Sequence, residues 1–203
     1  MSDKPLVSII TPTCNRDLRI VQRCIQCVRS QTYEHWEHIV CSDGVLEPHI
    51  KTLVESDRDA RMKYMVTAKK HGGYGGAVRE EIINKIPLGK LLVFYDDDNV
   101  IFPTYLEKMV KALVEAKNDE KFAICQIFHF GPLQPFFGPP PILLEGEPKL
   151  YYIDTLQVMV ETEAMKKVGW VNPLHYCSDG MTYEALGKAY KWVKVPECLG
   201  VHL

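Results

Sequence analysis

Leu91-Leu92-Val93-Phe94-Tyr95-Asp96-Asp97-Asp98-Asn99 decides how the rest of the chain is read. The unbroken apolar run has the length and composition of a strand buried on both faces. It passes without a spacer into three carboxylates. Adjacent carboxylates repel one another, so at the end of a buried strand they call for a cation to offset them. Pro103 then opens a helix whose apolar positions, Leu106, Met109, Val110, Leu113 and Val114, recur at helical spacing. Toward the N-terminus the same alternation repeats. Leu6-Val7-Ser8-Ile9-Ile10-Thr11, between Pro5 and Pro12, reads as a buried strand, and Leu18, Val21, Cys24, Ile25 and Val28 mark an amphipathic helix reaching about Ser30. Trp36 to Cys41 is a second strand, stopped by the turn Ser42-Asp43-Gly44, and Ile50, Leu53 and Val54 mark a second helix. Met62 to Val66 is a third strand, followed by the glycine-rich loop His71 to Gly76 and a helix from about Ala77 to Ile86. Strands and helices alternating at this spacing give βαβ units, hence an α/β fold with a mainly parallel sheet flanked by helices. Open sheets of this kind bind ligands beyond the carboxyl ends of their strands. Thr11 to Arg16, Ser42-Asp43-Gly44 and Asp96 to Asn99 all fall there.

The 203 residues, 46% hydrophobic and 25% charged, suffice for one sizeable core, so a single domain over 1–203 is expected. A net charge of −2 excludes a generic basic nucleic-acid binder, and the ordinary apolar fraction excludes disorder. No apolar run approaches the ~20 residues of a membrane span. The start Met-Ser-Asp-Lys-Pro lacks the basic and apolar pattern of a secretory signal. Seven scattered cysteines, an odd number, read as reduced thiols of a cytoplasmic protein. Cys24 and Cys27 form a C-x-x-C without a second pair to complete a zinc site, and read as two small apolar residues on one helix face.

Beyond Val114 the pattern loosens. Phe122 to Phe128 and Tyr151 to Val160 read as strands, Thr162 to Val168 and Ser178 to Tyr190 as helices, and Trp192 to Val195 as a last short strand. The proline-rich segment Gly131 to Pro148, with Phe136, Phe137 and Leu143-Leu144, is too long and apolar for a plain linker and reads as an ordered excursion or lid over the site.

Taken together, these motifs resemble a family 2 glycosyltransferase with the nucleotide-sugar-binding GT-A fold. Val7-Ser8-Ile9-Ile10-Thr11-Pro12-Thr13-Cys14-Asn15-Arg16 resembles the family's V-S-[IV]-I-x-P-[ST]-x-N-R opening. Gln31-Thr32-Tyr33 with Trp36-Glu37 resembles its step into the second strand, and Ser42-Asp43-Gly44 its D-G. Phe94-Tyr95-Asp96-Asp97-Asp98-Asn99 with Pro103 resembles its metal motif. The resemblance spans roughly residues 5 to 202, dense up to Pro103 and looser beyond.

The resemblance implies a metal-dependent, inverting transfer from a nucleotide-diphosphate sugar, a UDP-sugar being the expected donor, to an acceptor hydroxyl on a saccharide or glycoconjugate. Residues of about 5–103 would form the nucleotide-sugar half and about 104–203 the acceptor half. Thr11, Pro12, Thr13, Asn15 and Arg16 would hold the nucleotide, and Asp43 would accept from the imide N–H of the base. Where the family has Ala-Arg-Asn, this chain has Ala77-Val78-Arg79-Glu80, and Arg79 is expected to face the diphosphate or support the acidic loop. Asp98 would bind Mn²⁺ or Mg²⁺, with Asp96 and Asp97 on ribose or water and His202 as a further metal or diphosphate ligand. Cys177-Ser178-Asp179-Gly180 fits the place of the family's base, with Asp179 in that role and Glu184, about one turn on, as its substitute. Asp154 and Thr155 match a region near the acceptor, and Trp170, Tyr176 and Phe137 are candidates for stacking on sugars.

Two other classes stay open on the sequence. One is a nucleotide-sugar-binding domain of a larger protein that lacks catalysis. The other is a sugar nucleotidyltransferase, which would want a Gly-rich basic loop after the first strand, where this chain has Thr11-Pro12-Thr13-Cys14.

Overall fold

The sheet grows from Val7–Thr13 (β1), whose valine and isoleucines are wholly buried. The chain then forms helix α1 (Leu18–Arg29), strand β2 (Trp36–Ser42), helix α2 (Pro48–Glu55), strand β3 (Met62–Val66), helix α3 (Gly76–Lys85) and strand β4 (Leu91–Phe94). β1 lies between β2 and β4, and β3 flanks β2, all parallel, with Ile9 level with both His38 and Val93. These are the strands and helices that the apolar spacing predicts. The computed structural model describes residues 4–56, 58–130 and 141–203.

After β4 come β5 (Val100–Ile101), α4 (Tyr105–Val114), β6 (Glu120–His129), β7 (Ile142–Leu144), β8 (Val158–Glu161), α5 (Thr162–Val168), α6 (Ser178–Ala189) and β9 (Lys191–His202). The order across the sheet is β3-β2-β1-β4-β8-β6-β9-β5, with β7 beside β6. β8 runs antiparallel between β4 and β6, and β9 runs parallel to β6. Both faces are covered. Val21, Cys24, Ile25, Val28, Ile50, Val54 and Met109 pack under one face against Val7, Ile9 and Val40. Val78, Ile82, Met165, Tyr183 and Leu186 pack on the other against Ile10, Leu92 and Phe94. The result is the expected helix-flanked α/β sheet.

Two expectations need correction. Tyr151 to Val160 is not one strand. Asp154 caps a short 3-10 turn, Thr155–Gln157, by accepting from Leu156 N–H at 2.8 Å, while Gln157 Oε1 accepts from Asp154 N–H at 3.0 Å. This reciprocal capping fixes a turn where the apolar composition suggests extension. The last strand is three times longer than expected. It continues through Pro196 because the register slips by two residues between Cys125 and Gln126 of β6, so the proline sits in a bulge. Ile142–Leu144, within the segment expected to be an ordered excursion or lid, forms a short strand paired with β6, Leu143 opposite Phe128. Residues 131–140 of that segment, including Phe136 and Phe137, lie outside the described residues.

All seven cysteines are free thiols, with Cys24 buried on the inner face of α1, as the helix-face reading requires. Among the described residues, no helix is long and apolar enough to cross a membrane.

Candidate active site

The carboxyl ends of β1, β2 and β4 open into a chamber of about 410 Å³. Pro12, Thr13, Arg16, Asp43 and the acidic turn Asp96-Asp97-Asp98 line it, facing the loop Gly72 to Gly75. Asp43 is 6% exposed and organises that loop. Its Oδ1 accepts from His71 N–H at 2.8 Å and its Oδ2 from Gly72 N–H at 2.7 Å. Oδ1 also accepts from the Thr67 hydroxyl at 3.3 Å, so the capacity left for a ligand donor is on Oδ2. Gly44 turns the chain at φ +69°, and a Cβ there would lie 2.1 Å from the Lys70 backbone nitrogen, so only glycine lets the two loops approach.

The acidic turn is balanced by guanidinium groups. Arg16 Nε lies 2.9 Å from Asp97 Oδ1 and its Nη2 2.8 Å from Asp98 Oδ2. Arg23 donates to the Asp98 carbonyl at 2.6 Å. Arg79, its side chain 3% exposed, pairs with Asp96 and donates to the Tyr74 carbonyl at 3.2 Å. Arg79 thus contacts both the acidic turn and the glycine-rich loop. Burial raises the Asp97 carboxyl to about 6, and Asp98 and Asp96 add to this against the pull of Arg16 and Thr13. Burial likewise raises Asp96, with Asp154 and Asp98 adding to it and Arg79 opposing. Among the described residues, Asp97 Oδ2 is a buried acceptor with no hydrogen-bond partner. Carboxylates on the chamber wall and an orphaned acceptor beside them suit a hard divalent cation such as Mg²⁺ or Mn²⁺, which takes oxygen ligands.

A second chamber of about 230 Å³ adjoins the first and shares Tyr74, Asp96, Tyr176 and His202 with it. Asp179 stands in its wall on the first turn of α6, with Thr155 Oγ1 donating to its Oδ2 at 3.2 Å. Burial pushes the Asp179 carboxyl up to about 6, helped by Asp154 and Asp96, while the Gly180 backbone and Arg79 pull the other way. A carboxylate tuned in this direction is a stronger base than a solvated one. His202 Nδ1 lies 3.1 Å from Asp154 Oδ2, and its ring stacks on His129 at 4.1 Å. Burial pushes the His202 imidazole down, but Asp154, Asp96 and Asp98 outweigh this and raise it.

Not every expected residue reaches the chambers. Thr11 is wholly buried on the α1 side of β1, its hydroxyl 2.8 Å from His38 Nε2. Strand alternation puts Thr11 on the same face as Ile9, away from the rim. Asn15, at φ 52°, is exposed beyond the chamber lining, and its N–H donates to Glu47 at 3.0 Å. Glu184 accepts from Lys188 at 2.6 Å and from Leu150 N–H at 3.2 Å, and Lys188 holds its carboxyl low. Trp170 is 4% exposed, edge-on to Phe94, and is a core residue. Tyr176 is 64% exposed at the shared rim, edge-on to Tyr74 at 4.9 Å. Phe137 lies outside the described residues. His129, Tyr74 and Arg23 were not expected. Arg23 sits on the exposed face of α1, and nothing in its spacing distinguishes it from a solvated charge.

The family model "Glycosyl transferase family 2" matches residues 8–166. An uncharacterised glycosyltransferase of Methanocaldococcus jannaschii is 24% identical over 175 residues, covering 82% of this chain and 59% of that protein. The chain thus spans well under two thirds of that relative. S. aureus TarS in complex with UDP superposes with TM-score 0.73 at 15% identity, over 96% of this chain and 59% of that one. Mannosyltransferase PcManGT from Pyrobaculum calidifontis, in complex with GDP-Man and Mn²⁺, superposes with TM-score 0.69 at 13% identity, over 98% and 57%.

Proposed function

The chain belongs to glycosyl transferase family 2, and on that premise we propose that it moves a sugar from a UDP-sugar to an acceptor hydroxyl with inversion. The observation that carries this reading is the pair of adjoining chambers, with Asp43 and the acidic turn in one and Asp179 in the other. The larger chamber takes the nucleotide. Pro12, Thr13 and Arg16 line it, and Asp43 Oδ2 accepts from the base imide. The first half of the chain, about 5–103, serves the donor and the second, about 104–203, the acceptor, a saccharide or glycoconjugate. Asp98 would hold a Mn²⁺ or Mg²⁺ ion, with Asp96 and His202 as neighbouring donors. That ion, when bound, supplies Lewis-acid stabilisation of the charge developing on the departing diphosphate.

Asp179 accepts the proton of the acceptor hydroxyl as that oxygen forms its bond to the anomeric carbon. The bond from that carbon to the phosphate oxygen breaks, and its electron pair leaves with UDP. A single displacement inverts the anomeric configuration. Thr155 fixes the carboxylate by its 3.2 Å hydrogen bond.

A second reading is a donor-binding portion of a longer enzyme, favoured by the 59% share of the Methanocaldococcus relative that the chain spans. Both readings require nucleotide binding. UDP should raise the melting temperature more than GDP does, roughly 5–10 °C at a hundredfold excess over Kd. Equal or greater stabilisation by GDP in a thermal-shift series would remove Asp43 as the base contact. Asp98→Ala should abolish the extra stabilisation that Mn²⁺ gives with UDP while leaving the melting temperature of the free protein within a few degrees. An undiminished Mn²⁺ increment would show that Asp98 is not the ligand.

A further inference from the structure

Glu81 lines neither chamber, yet its carboxylate holds the loop that shapes the larger one. It stands on α3, whose Val78, Ile82 and Ile83 are packed into the core against the sheet. Glu81 Oε1 accepts from Ala68 N–H at 2.8 Å, and Oε2 lies 2.6 Å from His71 Nε2. The two oxygens therefore tie down both ends of residues 68–71. Lys85, one turn along the helix, pairs with Oε1 at 2.5 Å. The Glu81 and His71 side chains are 11% and 14% exposed, so this is an interior contact and not a solvated ion pair. Burial pushes the Glu81 carboxyl up, but Lys85, the Ala68 N–H and His71 outweigh this and hold it at about 2, ionised at neutral pH.

The tied loop ends on Asp43. His71 N–H donates to Oδ1 and Gly72 N–H to Oδ2, and the Thr67 hydroxyl oxygen crowds Oδ1 at 3.3 Å. A carboxylate engaged in this way keeps its open acceptor on Oδ2. Uracil offers a single imide N–H between two carbonyls. Guanine offers two parallel donors, N1–H and the N2 amino group, and is best met by a carboxylate with both oxygens free. The acceptors left open on Asp43 thus separate the two bases, and the position of residues 71 and 72 sets how many there are.

Arg79 and Glu81 are two residues apart, roughly 200° around the helix axis, so α3 sends one side chain to the acidic turn and the other to this loop. We propose that Glu81 is a positioning residue for base selectivity: by clamping residues 68–71 to α3 it keeps Asp43 half-occupied and so favours UDP over GDP. This role rests on the reading of Asp43 as the base contact. Glu81 acts through the loop and not on the ligand, so its loss changes which nucleotide is held best.

Calorimetric titration with UDP and with GDP, each with Mn²⁺, tests it. The parent should bind UDP more tightly. Glu81→Ala frees the loop and should weaken UDP about fivefold, the net contribution of roughly one hydrogen bond, while GDP weakens by less than about twofold or improves. Glu81→Gln should recover most of the selectivity, because its carbonyl oxygen can accept from Ala68 N–H and its amide can donate to His71 Nε2. Glu80→Ala, which removes the neighbouring carboxylate, should leave the UDP-to-GDP ratio unchanged. Circular dichroism reports folding. If Glu81→Ala is unfolded, His71→Leu makes the same test, since it cuts one tie and keeps the His71 backbone N–H. A ratio that survives Glu81→Ala, or His71→Leu in its place, or an equal loss in Glu80→Ala, would overturn the role of Glu81 alone. No preference for UDP in the parent would remove the Asp43 reading and this role with it.

Discussion

Asp179→Asn should bind donor like the parent and transfer sugar at least about 100-fold more slowly. Removing a general base costs about 10²–10⁴-fold in rate, and the amide keeps the shape of the carboxylate without its basicity. Donor affinity should survive, because Asp179 lines the chamber beyond Asp96 and not the one that holds Asp43. The same residue predicts a pH profile. Burial places its carboxyl at about 6, so the active, ionised form is lost as pH falls through that value. The parent rate should drop roughly tenfold per pH unit on the acid side, and Asp179→Asn should lose this limb. Steady-state transfer with matched donor titrations checks both. A parent-like rate would end the assignment, and a loss of donor binding would move Asp179 into the donor site.

Arg79→Met should cost about 3 kcal/mol of folding stability, read as a lowered urea midpoint. Breaking one partner of a buried ion pair costs about 3–5 kcal/mol, and the low end applies because the Asp96 side chain is 32% exposed. The variant leaves Asp96 facing Asp154 and Asp98 with its main counter-charge gone. It also removes a guanidinium 5.2 Å from the Trp170 ring. Adding Asp96→Asn should restore part of the loss, since the uncompensated charge disappears. A midpoint for Arg79→Met equivalent to less than about 1 kcal/mol from the parent would show that the pair is not what stabilises the turn.

The first half of the molecule is legible in its sequence because its elements are long and regular. Helices α1 and α4 repeat one period over several turns, and β1 shows as a short continuous apolar run punctuated by prolines. The positions of Asp43 and Asp96 to Asp98 then follow from where strands end. The second half resists the same reading for identifiable reasons. Two- and three-residue strands such as β5 and β7 carry no period. The Asp154–Gln157 capping contacts make a turn from residues whose apolar neighbours suggest extension. Pro196 conceals the continuity of β9, because the bulge that accommodates it depends on a slip in a partner strand some 70 residues earlier. Within the site, Asp179 is visible as a carboxylate opening a helix, whereas Glu184 is a comparable candidate until Lys188 is seen to engage it. His129 has no local mark at all. It matters only because β9 returns His202 to its side, a contact between distant positions that no spacing rule contains.

The most direct test of the central claim is the fate of a donor. The purified chain is incubated with Mn²⁺ and a panel of UDP-, GDP- and dTDP-sugars, and free nucleoside diphosphate and free or transferred sugar are measured by chromatography. The account predicts that UDP and sugar appear in equal amounts from a UDP-sugar, that GDP-sugars are consumed more slowly, and that Asp179→Asn suppresses the release while still binding the donor. Failure of every donor to be consumed, together with no detectable binding of UDP, would contradict it.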